Sequence, residues 1–330
     1  MRVVSLFAGC GGLDLGLVNT GHKIVHASDI DPDCCKTYEK NFDHPAHCID
    51  VKQLKGSDLP KYDLLVGGFP CQGFSVANIY RSKDDKRNEL YEEIVRLLNE
   101  TRPKFFLAEN VPGILSLEKG KVVEVIHQEF QDVGKSDGGN GYEVRIKLLN
   151  ASDYGVPQNR KRVIFMGISK DFNDDIREEM FKYFPPKSTH GDGIKSLNRK
   201  ITLRDAIGNL PEPDSKDGDE ILNHVVTSHK VKINGFIGNR KLDWDKPGPT
   251  MVGRGGGTGG PVIAVHPNLQ RRLSVRETAR IQSFPDDFEF IGSKSSQYRQ
   301  IGNAVAVGFA EALGNMLKEI ESVSRTKSSK

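Results

Sequence analysis

The chain has 330 residues, 37% of them hydrophobic, and 47 basic against 44 acidic side chains give a net charge of +3. With a mean hydropathy of -0.47 and no run approaching the ~20 apolar residues that cross a bilayer, the sequence excludes an integral membrane protein. The near balance of charge does not by itself indicate a polyanionic partner. Five cysteines without a CxxC spacing argue against a disulfide framework and a zinc site, and they fit a reducing cytoplasm.

The first half of the chain alternates short apolar runs with amphipathic helical patterns. The predicted strands are 2–7, 23–28, 46–50, 63–68, 104–109, 142–149 and 162–168. Between the fourth and fifth runs, apolar residues at 90, 94, 97 and 98 share one face of a predicted helix. Near-continuous apolar strands separated by helices predict an α/β fold, in which helices cover both faces of a mostly parallel sheet.

The pattern changes from about 171 to 270, where glycine, proline and charged residues accumulate and periodicity weakens. Regular structure returns at SVRETARIQSF, in which Ser274 and Glu277 match a capping box. The final apolar helix, over 304–323, is expected to pack back on the first lobe. The sequence therefore predicts a discontinuous large domain, 1–185 completed by 290–330, and a smaller loop-rich domain, 186–289.

A glycine-rich turn, FAGCGG at 7–12, follows the first predicted strand and precedes a helix. Asp29 stands about 20 residues further on, as in dinucleotide-binding folds, and Asp50 follows the next strand. However, Asp14 replaces the third glycine of G-x-G-x-x-G, which weakens a pyrophosphate site and favours an adenosyl ligand without phosphate. The alternative is a tight turn followed by two surface acids.

GGFPCQGFS, at 67–75, places Cys71 on a turn at the end of a buried strand. Two glycines free that strand end, Pro70 stiffens the turn, and a following helix could lower the thiol pKa through its N–H groups. This arrangement favours a nucleophile. The alternative is a buried thiol that acts as a small hydrophobic residue.

AEN, at 108–110, puts Glu109 at the end of the next strand, and QNRKRV, at 158–163, carries Arg160 and Arg162 two residues apart. On a strand, both arginines would face the same way, and an arginine beside a buried carboxylate could hold a planar ring. The alternatives are a carboxylate at a helix start and an edge strand with solvated charges.

Taken together, FAGCGG, PCQ, AEN, QNRKR, RRLSVRETARIQSFPDDF and QIGNAV resemble, in order and spacing, the motif series of the DNA (cytosine-5) methyltransferases of bacterial restriction-modification systems. The resemblance spans nearly the whole chain except 171–270, where that family keeps its variable target-recognition lobe. It implies S-adenosylmethionine as methyl donor, no metal, double-stranded DNA as substrate and a monomer acting beside a restriction endonuclease in the cytoplasm.

The resemblance also implies roles for the candidate residues. Cys71 matches the thiolate that adds to C6 of cytosine, and Glu109 matches the acid that relieves charge at N3. Arg162 is similar to the residue that bonds O2 and steadies Glu109, with Arg160 beside it at the site. No residue stands out as the base that removes the C5 proton, and water is the alternative. The target base must be rotated out of the duplex.

Further residues are carried over from the family's binding sites. The implied cofactor residues are Phe7, Gly9, Gly11, Asp29, Ile30, Asp50, Val51, Pro70, Leu90 and Asn303. The implied DNA contacts are Gln72, Ser75, Arg81 and Arg254, of which Arg81 lies within the polar loop 76–90. Arginine pairs bidentately with guanine, so Arg254 is expected to contact a base edge in the major groove.

Three other functions compete with this prediction. A transfer-RNA cytosine methyltransferase would share the catalytic motifs, but its Cys-Phe-Thr signature does not occur in this chain. A nicotinamide-dependent oxidoreductase would explain the glycine turn and Asp29 but not Cys71 or Glu109. A DNA-binding regulator that has lost catalysis conflicts with the intact set of reactive side chains.

Overall fold

A seven-stranded sheet forms the centre of the protein. The computed structural model describes residues 1–69, 90–228, 230–236, 238–253 and 262–327. The strands of the sheet are β1 (Arg2–Leu6), β2 (Lys23–Asp29), β3 (His47–Cys48), β4 (Leu64–Gly68), β5 (Phe105–Asn110), β6 (Tyr142–Asn150) and β8 (Lys161–Ser169). Their order is β3-β2-β1-β4-β5-β8-β6, and the first five are parallel, whereas β8 is antiparallel to both β5 and β6. The predicted α/β fold with a mostly parallel sheet is confirmed.

Helices cover both faces of this sheet. The helices of the described residues are α1 (Gly12–Asn19), α2 (Pro32–Asn41), α3 (Leu90–Thr101), α4 (Lys121–Asp132), α5 (Asp174–Phe181), α6 (Leu203–Ile207), α7 (Lys216–Asp219), α8 (Val275–Ile281), α9 (Lys294–Asn303) and α10 (Val307–Lys327), of which α6 and α7 belong to the irregular segment between α5 and α8. One core contains Leu17 of α1 and Phe309 of α10, and the other contains Leu97 of α3 and Phe130 of α4. Strand residues alternate between the two cores, which explains why the strands read as continuous apolar runs.

The last helix returns to the first lobe, as predicted. It packs along α1, about 290 residues earlier in the chain, and Gly16 of α1 has no room for a Cβ against Ala310. The division of the chain at 185/186 and 289/290 stays a prediction. In the described ranges, no helix is long and apolar enough to cross a membrane.

The segment between α5 and α8 is mostly irregular and has a small core of its own. That core consists of Leu203, Ile207, Leu242, Met251, Ala264, Leu273 and Ile281. Two short strands connect this segment to the residues just before β8: β7 (Gln158–Asn159) pairs in parallel with β9 (Gly248–Pro249). The predicted capping box of α8 is present: Ser274 Oγ accepts from Glu277 N at 3.0 Å, and Glu277 Oε2 accepts from Ser274 N at 2.7 Å.

Candidate active site

The carboxyl ends of β1, β2, β4 and β5 share one edge of the sheet, because these strands are parallel. β8 is antiparallel to β5, so the beginning of β8 reaches that same edge. In open α/β sheets, ligands bind in the crevice outside this edge. The candidate side chains of the sequence therefore converge there from strands far apart in the chain.

Glu109 and Arg162 form an ion pair at this edge, with 2.5 Å between Arg162 Nε and Glu109 Oε1. Their side chains are 12% and 9% exposed, so solvent screens the pair only weakly. The second carboxyl oxygen lies beside Gly68 of β4, where an added Cβ would stand 3.1 Å from Oε2. The carboxyl group is thus fixed on one side by a guanidinium and borders, on the other, the strand end that leads to Cys71.

Asn110 holds this strand end, a role that was not predicted from the sequence. The side chain is 2% exposed, and its Nδ2 donates to the carbonyl of Phe69 at 3.2 Å. Its Oδ1 accepts from the amide of Val111 at 2.8 Å, which fixes the orientation of the side-chain amide. Asn110 therefore ties the end of β5 to the residue two positions before Cys71. The sequence feature that could have indicated this role is the position of Asn110, directly after Glu109 and two residues before Pro112.

Cys71 and Pro70 lie outside the described residues, and the other four cysteines are free thiols. Burial raises the pKa of Cys10 to about 12 and that of Cys35 to about 12, which makes both poor nucleophiles at neutral pH. Burial likewise raises the pKa of Cys34. Cys48 is exposed but lies on β3, four strand spacings from β5 and so roughly 19 Å from that strand.

Arg160 lies between β7 and β8 and differs from Arg162 in its contacts. Its side chain is 1% exposed, and the guanidinium donates to the carbonyls of Met251 at 2.9 Å, Gly302 at 2.9 Å and Ala304 at 2.8 Å. Desolvation by burial holds the pKa of Arg160 well below its usual range, and the nearby Arg162 acts in the same direction. The structure thus anchors Arg160 to main chain, and its predicted part in catalysis stays a prediction.

The glycine turn after β1 is built by left-handed backbone and a carboxylate. Gly9 and Gly11 have φ of 57° and 92°, values that favour glycine. Asp29 Oδ2 accepts from Gly9 N at 2.8 Å, and Oδ1 accepts from Asp31 N at 2.9 Å. Burial raises the pKa of Asp29, and these two N–H donors oppose the rise. Asp29 therefore shapes the turn, as well as standing where a ribose contact is predicted.

The other predicted cofactor residues lie around the same end of the sheet. Ile30 follows Asp29 and is 67% exposed, an unusual position for a branched apolar side chain. Asp50 Oδ1 accepts from Lys52 N at 3.0 Å, so it caps the turn that begins at the buried Val51. Phe7 adopts a φ of 54° at the start of the glycine turn. Leu90 begins α3, and Asn303 ends α9 with an exposed side chain beside Gly253.

Asp14, which replaces the third glycine of the glycine pattern, is a buried acid. It has no exposed surface, and it accepts from Ser5 Oγ at 2.6 Å and from Tyr38 Oη at 2.8 Å. Desolvation raises the pKa of Asp14 from 3.8 to about 6, against the opposing effect of these hydroxyl donors. Asp14 joins β1, α1 and α2 beneath the glycine turn.

A cleft of about 1100 Å³ opens between Asn159 and the irregular lobe. Its lining includes four basic side chains, Arg204, Arg240, Lys241 and Lys246, and two acidic ones, Asp243 and Asp245. The guanidinium of Arg204 lies 5.5 Å from the ring centre of Trp244. The predicted DNA contacts Gln72, Ser75, Arg81 and Arg254 lie outside the described residues.

Comparison with known proteins decides what kind of site this is. Residues 1–319 match the family of C-5 cytosine-specific DNA methylases. The chain belongs to that family. The Type II methyltransferase M.MthTI of Methanothermobacter thermautotrophicus is 38% identical to it, over 97% of each chain. M.FnuDI of Fusobacterium nucleatum, also a Type II methyltransferase, is 37% identical over 97% of this chain and 94% of the relative.

Solved structures agree with the fold of this C5 methylase. An E. coli prophage protein described as a DNA modification methyltransferase has a TM-score of 0.71 and 28% identity, covering 98% of this chain and 99% of its own. The S. pombe Dnmt2 methyltransferase superposes with a TM-score of 0.63 at 20% identity, covering 96% and 98%. At that identity the second likeness concerns the fold alone.

Family membership makes this protein an enzyme that methylates C5 of cytosine in DNA, with S-adenosylmethionine as the implied methyl donor. The oxidoreductase alternative is set aside. Within the described ranges, no group of three or more His, Cys, Asp or Glu side chains is arranged to hold a metal ion.

Proposed function

We propose that the enzyme methylates a cytosine rotated out of duplex DNA through a covalent Cys71 adduct and protects host DNA from a partner restriction endonuclease. The observation that carries this proposal is the Glu109–Arg162 ion pair beside Gly68. Cys71 follows Gly68, the last residue of β4, by three residues, and β4 pairs with the strand that carries Glu109. A ring between the thiol and the carboxyl group would meet both groups from neighbouring strands about 4.8 Å apart.

Each side chain has a defined task in this reaction. The thiolate of Cys71 adds to C6 of cytosine, and the electron pair of the C5–C6 double bond moves through the ring to N3, which takes a proton from Glu109. Arg162 holds Glu109 Oε1, so that Oε2 is left for the ring. S-adenosylmethionine, when bound, supplies an electrophilic methyl group for the C5 carbon that this addition activates. Water then takes the C5 proton, the electron pair left behind expels Cys71 as thiolate by breaking the C6–sulfur bond, and N3 returns its proton to Glu109.

The residues of the glycine turn fit an adenosyl ligand. A Cβ on Gly9 would meet no described atom within 4 Å, so the turn faces open space. The Asp29 carboxylate can accept from ribose hydroxyls, and Ile30, whose side chain is exposed, is proposed to meet the ribose beside it. Asp50, with Val51, is proposed to meet the adenine amino group. Phe7, Gly11, Pro70, Leu90 and Asn303 complete the proposed pocket.

The basic cleft supports DNA binding by the lobe at 186–289. Four cations against two carboxylates give it an excess of positive charge for phosphates. Gln72 and Ser75 are proposed to meet the rotated nucleotide, Arg81 the backbone, and Arg254 a base edge in the major groove. We further propose that the enzyme acts as a monomer in the cytoplasm.

Trapping on 5-fluorocytosine tests the covalent mechanism. Fluorine at C5 leaves no proton to remove, so the C6–sulfur bond should persist after methyl transfer. We expect a DNA–protein adduct that resists denaturing gel electrophoresis, carries one methyl group and is lost in Cys71→Ser. Cys48→Ser, which changes the exposed thiol on β3, should trap as the wild type does. Failure to trap on DNA whose unmodified form is methylated would contradict the Cys71 mechanism.

The protective role is tested in cells. Bisulfite sequencing of plasmid from an expressing host should show methylcytosine at one short sequence and none at unrelated cytosines. A plasmid so modified should resist an endonuclease that cleaves that sequence, whereas plasmid from cells carrying Cys71→Ser should be cut. Methylation scattered over all cytosines would contradict a sequence-specific, protective enzyme.

A further inference from the structure

Arg160 joins two parts of the protein that are far apart in sequence. Its Nη1 donates to the carbonyl of Met251, in the lobe beyond β9, and its Nη2 donates to Gly302 and Ala304, on either side of Asn303. We call Arg160 and these three carbonyls the arginine clamp. Because the guanidinium is 1% exposed, each of its bonds is formed away from water.

Neighbouring contacts converge on the same junction. Gln158 Oε1 accepts from Met251 N at 2.9 Å, so residue 251 is held through both its amide and its carbonyl. Gly302 lies against the backbone of Gly253, where neither glycine has room for a Cβ. Gly253, the last described residue before Arg254, therefore lies directly beside the turn that carries Asn303.

The arrangement is costly, which argues for a specific purpose. Burying a guanidinium without a carboxylate partner sacrifices its hydration, and three neutral carbonyls restore only part of it. In addition, Arg160 Nε is buried and has no hydrogen-bond partner among the described residues. An apolar side chain would fill this space at less cost if packing were its only function.

We propose that Arg160 is a positioning residue, whose clamp holds the lobe at Met251 and the Asn303 side of the cofactor pocket in one fixed geometry. This inference rests on the proposed function, because it takes Asn303 as a cofactor contact. Arg162, two residues away, is held in the same segment by its ion pair with Glu109. Loosening the clamp should therefore weaken cofactor and DNA use together while the fold persists.

Arg276 provides a matched control. It is 0% exposed, and its guanidinium donates to three carbonyls, those of Leu222 at 2.9 Å, Pro285 at 2.7 Å and Phe288 at 2.6 Å. None of these acceptors lies at the junction of Met251 with Gly302. The lysine variants of both arginines lose comparable hydrogen bonds while keeping the charge.

The experiment compares Arg160→Lys with Arg276→Lys at a temperature where circular dichroism shows both to be folded. We expect both variants to lower the unfolding midpoint. Only Arg160→Lys should raise the KM values for S-adenosylmethionine and for DNA, each on the order of tenfold, since small displacements of positioned groups carry penalties of this size or larger. Equal KM changes in the two variants would overturn the proposal.

A double-mutant cycle tests the route through Asn303. If Arg160 acts through that turn, the effects of Arg160→Lys and Asn303→Ala on the cofactor KM should be strongly non-additive. Arg160→Lys combined with Asp50→Asn, on the far side of the proposed pocket, should be additive. Additivity in both cycles would overturn the proposal.

A second variant covers the case in which Arg160→Lys does not fold. Gly253→Ala keeps Arg160 and forces the same junction apart, because its Cβ would overlap Asn303 Oδ1. It should raise both KM values, and unchanged values would contradict the clamp. Trapping of the wild-type enzyme on 5-fluorocytosine tests the chemistry separately. If the wild type traps normally but the junction variants show no KM change of their own, the clamp is overturned and the proposed function is not.

Discussion

Asp14→Asn should stabilise the protein at neutral pH, because the buried carboxylate is an energetic burden there. Desolvation raises the pKa of Asp14 from 3.8 to about 6 in the folded protein. Each pH unit of this difference is worth about 1.4 kcal/mol, so ionised Asp14 lowers the free energy of unfolding by about 3 kcal/mol above pH 6. Since the pKa of Asp14 is higher in the folded than in the unfolded protein, this free energy of about 3 kcal/mol is fully present below about pH 4 and is lost as pH rises through about 6.

Asparagine keeps the shape of the side chain and removes its charge. Its carbonyl can accept from Ser5 Oγ, as Oδ1 of Asp14 does at 2.6 Å, and its amide can donate to Tyr38 Oη in place of the present 2.8 Å bond. The difference in unfolding free energy between variant and wild type should therefore approach about 3 kcal/mol at pH 7.5 and shrink towards zero near pH 4.

Urea unfolding followed by circular dichroism at several pH values measures this difference directly. Asp43→Asn, which removes an exposed acid from the same lobe, controls for the loss of one negative charge. A stability difference for Asp14→Asn that stays constant between pH 4.5 and 7.5 would refute the reasoning, as would a difference that grows on acidification.

Gly68→Ala should reduce the methylation rate, because its Cβ would lie 3.1 Å from Glu109 Oε2. Gly67→Ala, on the same strand, is the control: its Cβ would lie 3.2 Å from a carbonyl oxygen of β1. The control variant should lose a similar amount of stability but retain more activity. Single-turnover methylation and thermal unfolding distinguish the two, and equal rates would contradict the prediction. Asn110→Ala should lower the single-turnover rate at least tenfold by freeing the carbonyl of Phe69 before Cys71. Wild-type kinetics in that variant would show that this hydrogen bond does not position the thiol. Glu109→Gln, which keeps the shape but cannot donate a carboxyl proton, should bind DNA normally and lose at least a hundredfold in rate, roughly the contribution of a general acid; an active Gln variant would contradict the proposed proton transfer.

The strands could be predicted closely because a sheet buried on both faces requires uninterrupted apolar residues. β3 is shorter than predicted, since both His47 and Cys48 are exposed at the sheet edge, where apolar burial no longer specifies a strand. β7 and β9 were missed altogether. Each is two residues long and exists only through pairing with the other, which is 90 residues away in the chain. No local pattern encodes such a contact.

The site was predictable where chemistry restricts the residue type, as at Glu109 with Arg162. It was not predictable where a side chain bonds to main chain, because carbonyls carry no sequence signature. The alternation in QNRKR predicted that both arginines share one face of a strand. It could not show that Arg162 pairs with a carboxylate whereas Arg160 donates to three carbonyls. Asp14 was missed for a similar reason, since its two hydroxyl partners come from different elements.

The reversal of β8 explains how one short segment serves both the reacting base and the DNA-reading lobe. In the antiparallel register, Asn110 pairs with Val163, so Arg162 projects just beyond the end of β5. A parallel β8 would instead bring its other end, at Ser169, to the catalytic edge. Because the chain enters β8 at that edge, the residues immediately before it, Gln158 to Arg160, lie outside the sheet, where they can pair with β9 and hold Met251. The same reversal thus sets Arg162 against Glu109 and places Arg160 one step further out, at the junction with the lobe. A displacement of that lobe would therefore reach the ion pair through two residues of chain.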